Sequence, residues 1–203
     1  ACDRGFENYE EDIISLREKR FPVLGDGADI EREILEAARE GDSVGGVLET
    51  AVINMPAGVG EPWFDTIEGM LSHAVFSVPA VKGIEFGAGF GITKLRGSQA
   101  NDEMTYEEGR VVSVSNNSGG INGGISSGMP IIFRTAIKPT ASIYKEQDTV
   151  DFRKKENTKL TIHGRHDPAI IHRARAVIDA VTALTIGDLL IARYGSDFLR
   201  SEK

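Results

Sequence analysis

Apolar residues recur at Ile30, Ile34, Ala37 and Ala38 with charges between them, so residues 29–39 are predicted to form a helix that Gly41 ends. Residues 44–54 are β-branched and nearly alternating, which predicts a strand, and Pro56 and Gly58 break it. Pro62 opens a second predicted helix with Trp63, Ile67, Met70, Leu71, Ala74 and Val78 on its buried stripe, and Pro79 stops it. Residues 81–86 read as the strand that closes a β-α-β unit. Gly87, Gly89 and Gly91 then mark a turn-rich connection, and residues 110–115 form a short strand candidate. Residues 131–137 are a strand, 145–159 an exposed hairpin or loop, and 160–163 a further short strand. Asp167-Pro168 has the form of a helix start, Asp as cap and Pro in the first turn. Ile171, Ala174, Ile178, Val181 and Leu189 then line one face as far as about Arg193, with Gly187 a potential break. Residues 1–28 are polar and expected to be irregular, which divides the chain into 1–28 and 29–203. No repeat of solenoid or propeller period is present.

Composition narrows the function classes. Lys and Arg number 23 and Asp and Glu 31 in 203 residues, a formal charge of −8. That balance disfavours nucleic acid or an anionic membrane as partner, while leaving room for a local basic pocket. No apolar stretch is long enough for a membrane-spanning helix, and Ala1-Cys2-Asp3-Arg4 lacks a signal-peptide pattern. Cys2 is the one cysteine, which excludes an internal disulfide and a cysteine-rich zinc site and fits a cytoplasmic, reducing compartment. The four histidines are scattered, so no metal is expected; His73 and His172 read as ordinary helix residues. The 23 glycines exceed the usual ~7% share and are clustered.

Three stretches offer chemistry. Residues 116–128 (NNSGGINGGISSG) could bring backbone N–H groups close to a phosphate, or could be a flexible hairpin connection. They match neither a Walker A loop nor a dinucleotide fingerprint. Lys138-Pro139-Thr140-Ala141-Ser142 sets an ammonium, hydroxyls and backbone donors at a strand end, suited to a phosphate or a flavin edge, or forms a plain proline turn. Gly164-Arg165-His166-Asp167 pairs a guanidinium with a helix start, which favours an anion; Asp167 is a proton carrier or only a cap. Segments 87–109, 115–128 and 145–158 have few apolar anchors and are expected to be mobile.

Taken in order, these stretches resemble the chorismate synthase family from about Phe21 to Gly195. The likeness runs through Gly41-Asp42-Ser43-Val44-Gly45-Gly46, Met55-Pro56-Ala57-Gly58-Val59-Gly60 and Ser77-Val78-Pro79-Ala80-Val81-Lys82-Gly83-Ile84-Glu85-Phe86-Gly87. It continues in Arg96-Gly97-Ser98, Asn101-Asp102-Glu103, the repeated Gly-Gly-Ile of 119–128, Lys138-Pro139-Thr140 and Arg165-His166-Asp167-Pro168. Asp179 stands where the family carries Glu. Members are nearly twice as long, and their early Gly-Glu-Ser-His-Gly and middle Ser-Ala-Arg motifs have no counterpart here, so the chain looks like a C-terminal half lacking its N-terminal partner.

The resemblance implies a fold and a reaction. The fold is a β-α-β-α sandwich of the α/β (α+β) class, antiparallel sheets inside and helices outside, assembled as a homotetramer. The reaction is elimination of phosphate from 5-enolpyruvylshikimate 3-phosphate, giving chorismate for aromatic biosynthesis, with reduced FMN required and NADP associated. It assigns Asp167 a catalytic role near the flavin. It assigns FMN contacts to Pro79, Ala80, Gly123, Lys138, Pro139, Thr140, Ala141, Ser142 and Arg165. This chain alone is expected to be inactive. The alternatives are a non-catalytic truncated paralogue and a phosphate-binding α/β module.

Overall fold

The computed structural model describes residues 6–19, 23–107 and 109–200; Cys2 and Phe21 lie outside the described residues. Helix α1 (Tyr9–Glu18) occupies part of the stretch expected to be irregular. Asn8 caps it by accepting from the Glu11 N–H, and Asp12 accepts from the Glu7 and Asn8 N–H groups at 2.9 and 3.2 Å. Helix α2 (Ala28–Arg39) follows, then strand β1 (Gly46–Val52). A 3-10 turn at Trp63–Asp65 precedes α3 (Ile67–Phe76), whose cap is Thr66, its hydroxyl accepting from Gly69 N–H at 2.9 Å. Trp63 therefore lies ahead of the helix, not on its buried stripe: its φ is +73° and it is 82% exposed. Strand β2 (Val81–Phe86), the short helix α4 (Gly97–Ala100) and the hairpin β3 (Met104–Glu107) to β4 (Arg110–Ser113) come next.

The glycine-rich stretch folds into a tight hairpin, β5 (Ile121–Asn122) with β6 (Ile125–Ser126). It is far better anchored than its composition suggests. Gly119, Gly120, Ile121, Gly124 and Ser126 are buried, and the Ser126 hydroxyl donates to the Pro56 carbonyl at 2.6 Å. Strand β7 (Ile131–Ile137) follows, then the hairpin β8 (Gln147–Asp151) to β9 (Glu156–Leu160), so Leu160 ends a strand that was expected to start there. The chain closes with α5 (Ile171–Tyr194), unbroken at Gly187, and a 3-10 turn at Ser196–Arg200.

The main sheet has the order β1-β7-β2, both outer strands antiparallel to β7. Thus β1 and β2 are parallel, joined by α3, with β7 inserted between them. Along β7, Ile131, Phe133, Thr135 and Ile137 are buried and alternate with half-buried neighbours, the period-2 signature of one covered face. That face packs on Ile67, Leu71 and Val75 of α3 and on Ile178, Ile186 and Leu189 of α5. Each fully buried large side chain here contributes about 1.5–3 kcal/mol. The other face carries Val47, Ala51, Ile132 and Ala136, with Arg134 paired to Glu85 at 2.9 Å. Helices outside an antiparallel sheet make this a mixed α/β fold of the class the resemblance implies.

Candidate functional site

The strand directions gather the predicted residues. Segments entering β1 and β2 and leaving β7 all meet at the Gly46/Val81/Ile137 end of the sheet. Lys138 leaves β7 and donates its N–H to the Ala80 carbonyl at 2.9 Å; Ala80 has φ +74°, a strained value for a residue with a side chain. Ahead of β1, Gly45 lies so close to β7 that a Cβ there would collide with the Ile137 carbonyl oxygen and touch Pro139. Ser43 donates its hydroxyl to the Thr140 carbonyl at 2.6 Å, and Lys145 bridges Asp42 at 2.7 Å and Glu40 at 3.5 Å. The hydrogen bond from Lys145, with one from Ser43 N–H, holds the Asp42 carboxyl below its usual range, and the same contact raises Lys145. The Ala141 carbonyl accepts from the Gln147 amide at 3.1 Å.

The segment ahead of α5 joins this end. Val44 N–H donates to the Pro168 carbonyl at 2.8 Å, and Val44 forms a parallel bridge with Ala169. This overturns the cap reading of Asp167. Residues 168 and 169 are engaged by Val44, so the helix starts at Ile171, its N-cap is Ile170, and no side chain caps it. Asp167 instead pairs with Arg173.

Around this end Pro79, Lys138, Pro139, Ala141, Arg165 and Asp167 are exposed, and Ala80, Thr140 and Ser142 half-buried. Among the described residues neither Lys138 nor Arg165 has an ion-pair partner. The Thr140 hydroxyl oxygen is buried without a hydrogen-bond partner. Two free cations and an unsatisfied hydroxyl suit an anionic ligand with polar edges, as a phosphate-bearing flavin is. The donor set fits FMN.

Gly123 does not join them. It sits in the β5–β6 hairpin, where the Gly124 carbonyl accepts from Ile67 N–H at the start of α3, by the Val52/Ile131/Phe86 end. The length of β7, about 20 Å, separates the two ends. Its φ of +60° and the open space around a would-be Cβ leave its backbone approachable. Sequence reasoning also assigned no role to Ser43, Tyr144, Lys145 and Arg173; the first three depend on long-range pairing, whereas Arg173 pairs with Asp167 six residues before it. Among the described residues there is no group of three His, Cys, Asp or Glu able to hold a metal, and no helix long and apolar enough to cross a membrane.

Fold and site define an α/β protein with one sheet end suited to an anionic ligand. A family model described as chorismate synthase matches residues 11–191. A chorismate synthase of Dehalococcoides mccartyi is 48% identical over 178 residues, covering 88% of this chain and 49% of its own. One from Thermococcus kodakarensis is 43% identical over 183 residues, covering 90% and 52%. A crystal structure of a chorismate synthase superposes with a TM-score of 0.68 at 32% identity, over 85% of this chain and 44% of the other. The chain belongs to the chorismate synthase family. It spans about half the length of the curated relatives it matches.

Proposed function

We infer that this chain supplies the flavin- and phosphate-facing end of a chorismate synthase, a lyase that eliminates phosphate from 5-enolpyruvylshikimate 3-phosphate to give chorismate. The observation that carries the reading is the convergence of Ala80, Lys138 to Ser142 and Arg165 to Asp167 at one sheet end, with both cations free of protein carboxylates. Reduced FMN, when bound, supplies electron density that helps the phosphate leave, with no net oxidation. Lys138 and Arg165 hold anionic oxygens, Arg165 with a planar fork of donors and Lys138 as a point charge. Thr140, Ser142 and the backbone of Pro79, Ala80, Pro139 and Ala141 hold polar edges. As the C–O bond to phosphate breaks, a ring C–H bond breaks too: its electron pair enters the new double bond and Asp167 Oδ1 takes its proton.

By resemblance Gly123, whose backbone stands open, also contacts FMN, and the assembly is a homotetramer. NADPH as the source of reducing equivalents for the flavin and a cytoplasmic location complete the reading. The remaining half that the relatives carry contributes the rest of the site, and this segment alone turns over no substrate.

The test is an anaerobic assay with reduced FMN on the protein assembled with that half. Asp167→Asn should lower turnover by about a hundredfold or more, and Arg165→Ala should weaken substrate and flavin binding. Neither should shift the melting temperature, because Asp167 is not a cap. Near-normal turnover of Asp167→Asn would refute the assignment.

A further inference from the structure

One residue at this end of the sheet has no part in the reading above, although it touches two of the segments that meet there. The Tyr144 N–H donates to the Gly41 carbonyl at 2.9 Å, and its hydroxyl donates to the Gly164 carbonyl at 2.6 Å. Its ring meets the His166 imidazole edge-on, centroids 4.7 Å apart at 71°. His166 Nε2 lies 3.1 Å from the Ile162 carbonyl oxygen. A carbonyl can only accept, so that nitrogen carries the proton and donates. The imidazole is therefore held from two sides. His166 is half-buried, while its neighbours Arg165 and Asp167 are exposed. The next residue, Lys145, ties the same strap to Asp42 and Glu40.

We propose that Tyr144 is a positioning residue: it clamps the 164–167 segment to the sheet end, so that Arg165 and Asp167 are presented to a phosphate-bearing ligand beside Lys138. Residues 161–167 have no ladder partner, and a segment of that kind opens locally at small cost unless side chains tie it down. Tyr144 supplies two ties at once, a hydrogen bond to Gly164 and a ring contact to His166. The proposal rests on the functional reading above, because it assumes that the segment meets the ligand.

Hydrogen–deuterium exchange on the 203-residue chain, and FMN titration on the protein assembled with the half that its relatives carry, test it with Tyr144→Phe, Tyr144→Ala and Lys138→Ala. Phenylalanine keeps the ring contact and loses the bond to Gly164; alanine loses both. Exchange at amides 164–167 should rise about tenfold in Tyr144→Phe and further in Tyr144→Ala. Amides of β7 and α5 and the melting temperature should not change. FMN affinity should fall in the same graded order. Unchanged exchange at 164–167 overturns the proposal. So does a rise that spreads through β7 and α5, which would make Tyr144 a general prop of the fold. If Lys138→Ala lowers FMN affinity but neither Tyr144 variant does, the positioning role fails and the functional reading stands. If Lys138→Ala has no effect on FMN, the functional reading fails, and the exchange at 164–167 alone decides whether Tyr144 is the clamp.

Discussion

Replacing Asp102 by alanine should loosen the glycine-rich end of the sheet and leave the cation-bearing end intact. Asp102 accepts from the Ser115 hydroxyl at 2.7 Å, Asn117 N–H at 2.7 Å and Ser118 N–H at 2.8 Å. The turn it organises carries Asn116, which accepts from Gly120 N–H at 2.6 Å and donates to the Pro130 carbonyl at 2.8 Å, ahead of β7. Hydrogen bonds to a charged group are worth about 1.5–3 kcal/mol each when the partners are left without substitute. All three here are half-buried, so water recovers part of the loss, and a total of about 2–3 kcal/mol remains. For a domain of this size that is about 5–10 °C in melting temperature. Urea and thermal unfolding give the stability change, and hydrogen exchange over 115–120 locates it. A loss below about 0.5 kcal/mol with unchanged exchange would refute the reasoning. The pH dependence has a defined sign. Burial alone would raise the Asp102 pKa, but the bonds from Ser115, Ser118 and Asn117 outweigh it and lower it. Its contribution is present above the ordinary Asp range, ~3.9, and is lost as pH falls through the depressed folded value. The alanine variant lacks that acid-sensitive component.

Phe133 is fully buried, with its ring centroid 5.7 Å from that of Phe86; Phe133→Ala should cost about 3–5 kcal/mol by urea denaturation, whereas Val47→Ala on the exposed face should cost under about 0.5 kcal/mol. Asp179 is exposed, but partial desolvation by the chain around it raises its pKa against the pull of Arg175, so the folded state mildly disfavours its charge and stability falls as pH rises from the unfolded to the folded value. Asp179→Asn should therefore stabilise the chain at pH 7 and not at pH 3, and equal shifts at both would contradict the assignment.

Where a local run of residues decided the structure, the sequence was readable. The largely apolar run of residues 131–137, and residues 81–86 with Lys82 and Glu85 set between Val81, Ile84 and Phe86, correspond to β7 and β2 with no change of bounds. Trp63 misled because it falls in phase with the apolar stripe of α3, while Thr66 starts the helix three residues later. Helix α1 had a readable cap, Asn8 followed by Glu11, hidden in an acidic run that looks merely solvated. The glycine-rich stretch looked loose because glycine carries no apolar side chain; its anchoring comes from backbone groups and from Asn116, Asp102 and Ser126. In the site, the family motifs marked Lys138, Arg165 and Asp167. Ser43 and Tyr144 were not legible, because their partners lie 97 and 20 residues away and only the strand directions bring them together.

The displaced start of α5 bears directly on chemistry. A carboxylate serving as N-cap gives its lone pairs to the first helical N–H groups and is fixed by them. Had the helix begun after Asp167-Pro168, Asp167 would hold that post. Val44 prevents it by pairing with Ala169 and donating to Pro168, which keeps residues 168 and 169 out of the helix until Ile171. The side chain is left on the surface with Arg173 as its partner, an exposed pair worth about 0–1 kcal/mol, and with Oδ1 free of any protein donor among the described residues. The same Gly41 to Gly46 turn holds the Thr140 carbonyl through Ser43 and packs Gly45 against Ile137. One turn thus places both the cation-bearing loop and the unencumbered carboxylate, and a change that shifted Val44 would move Asp167 toward capping and away from a ligand.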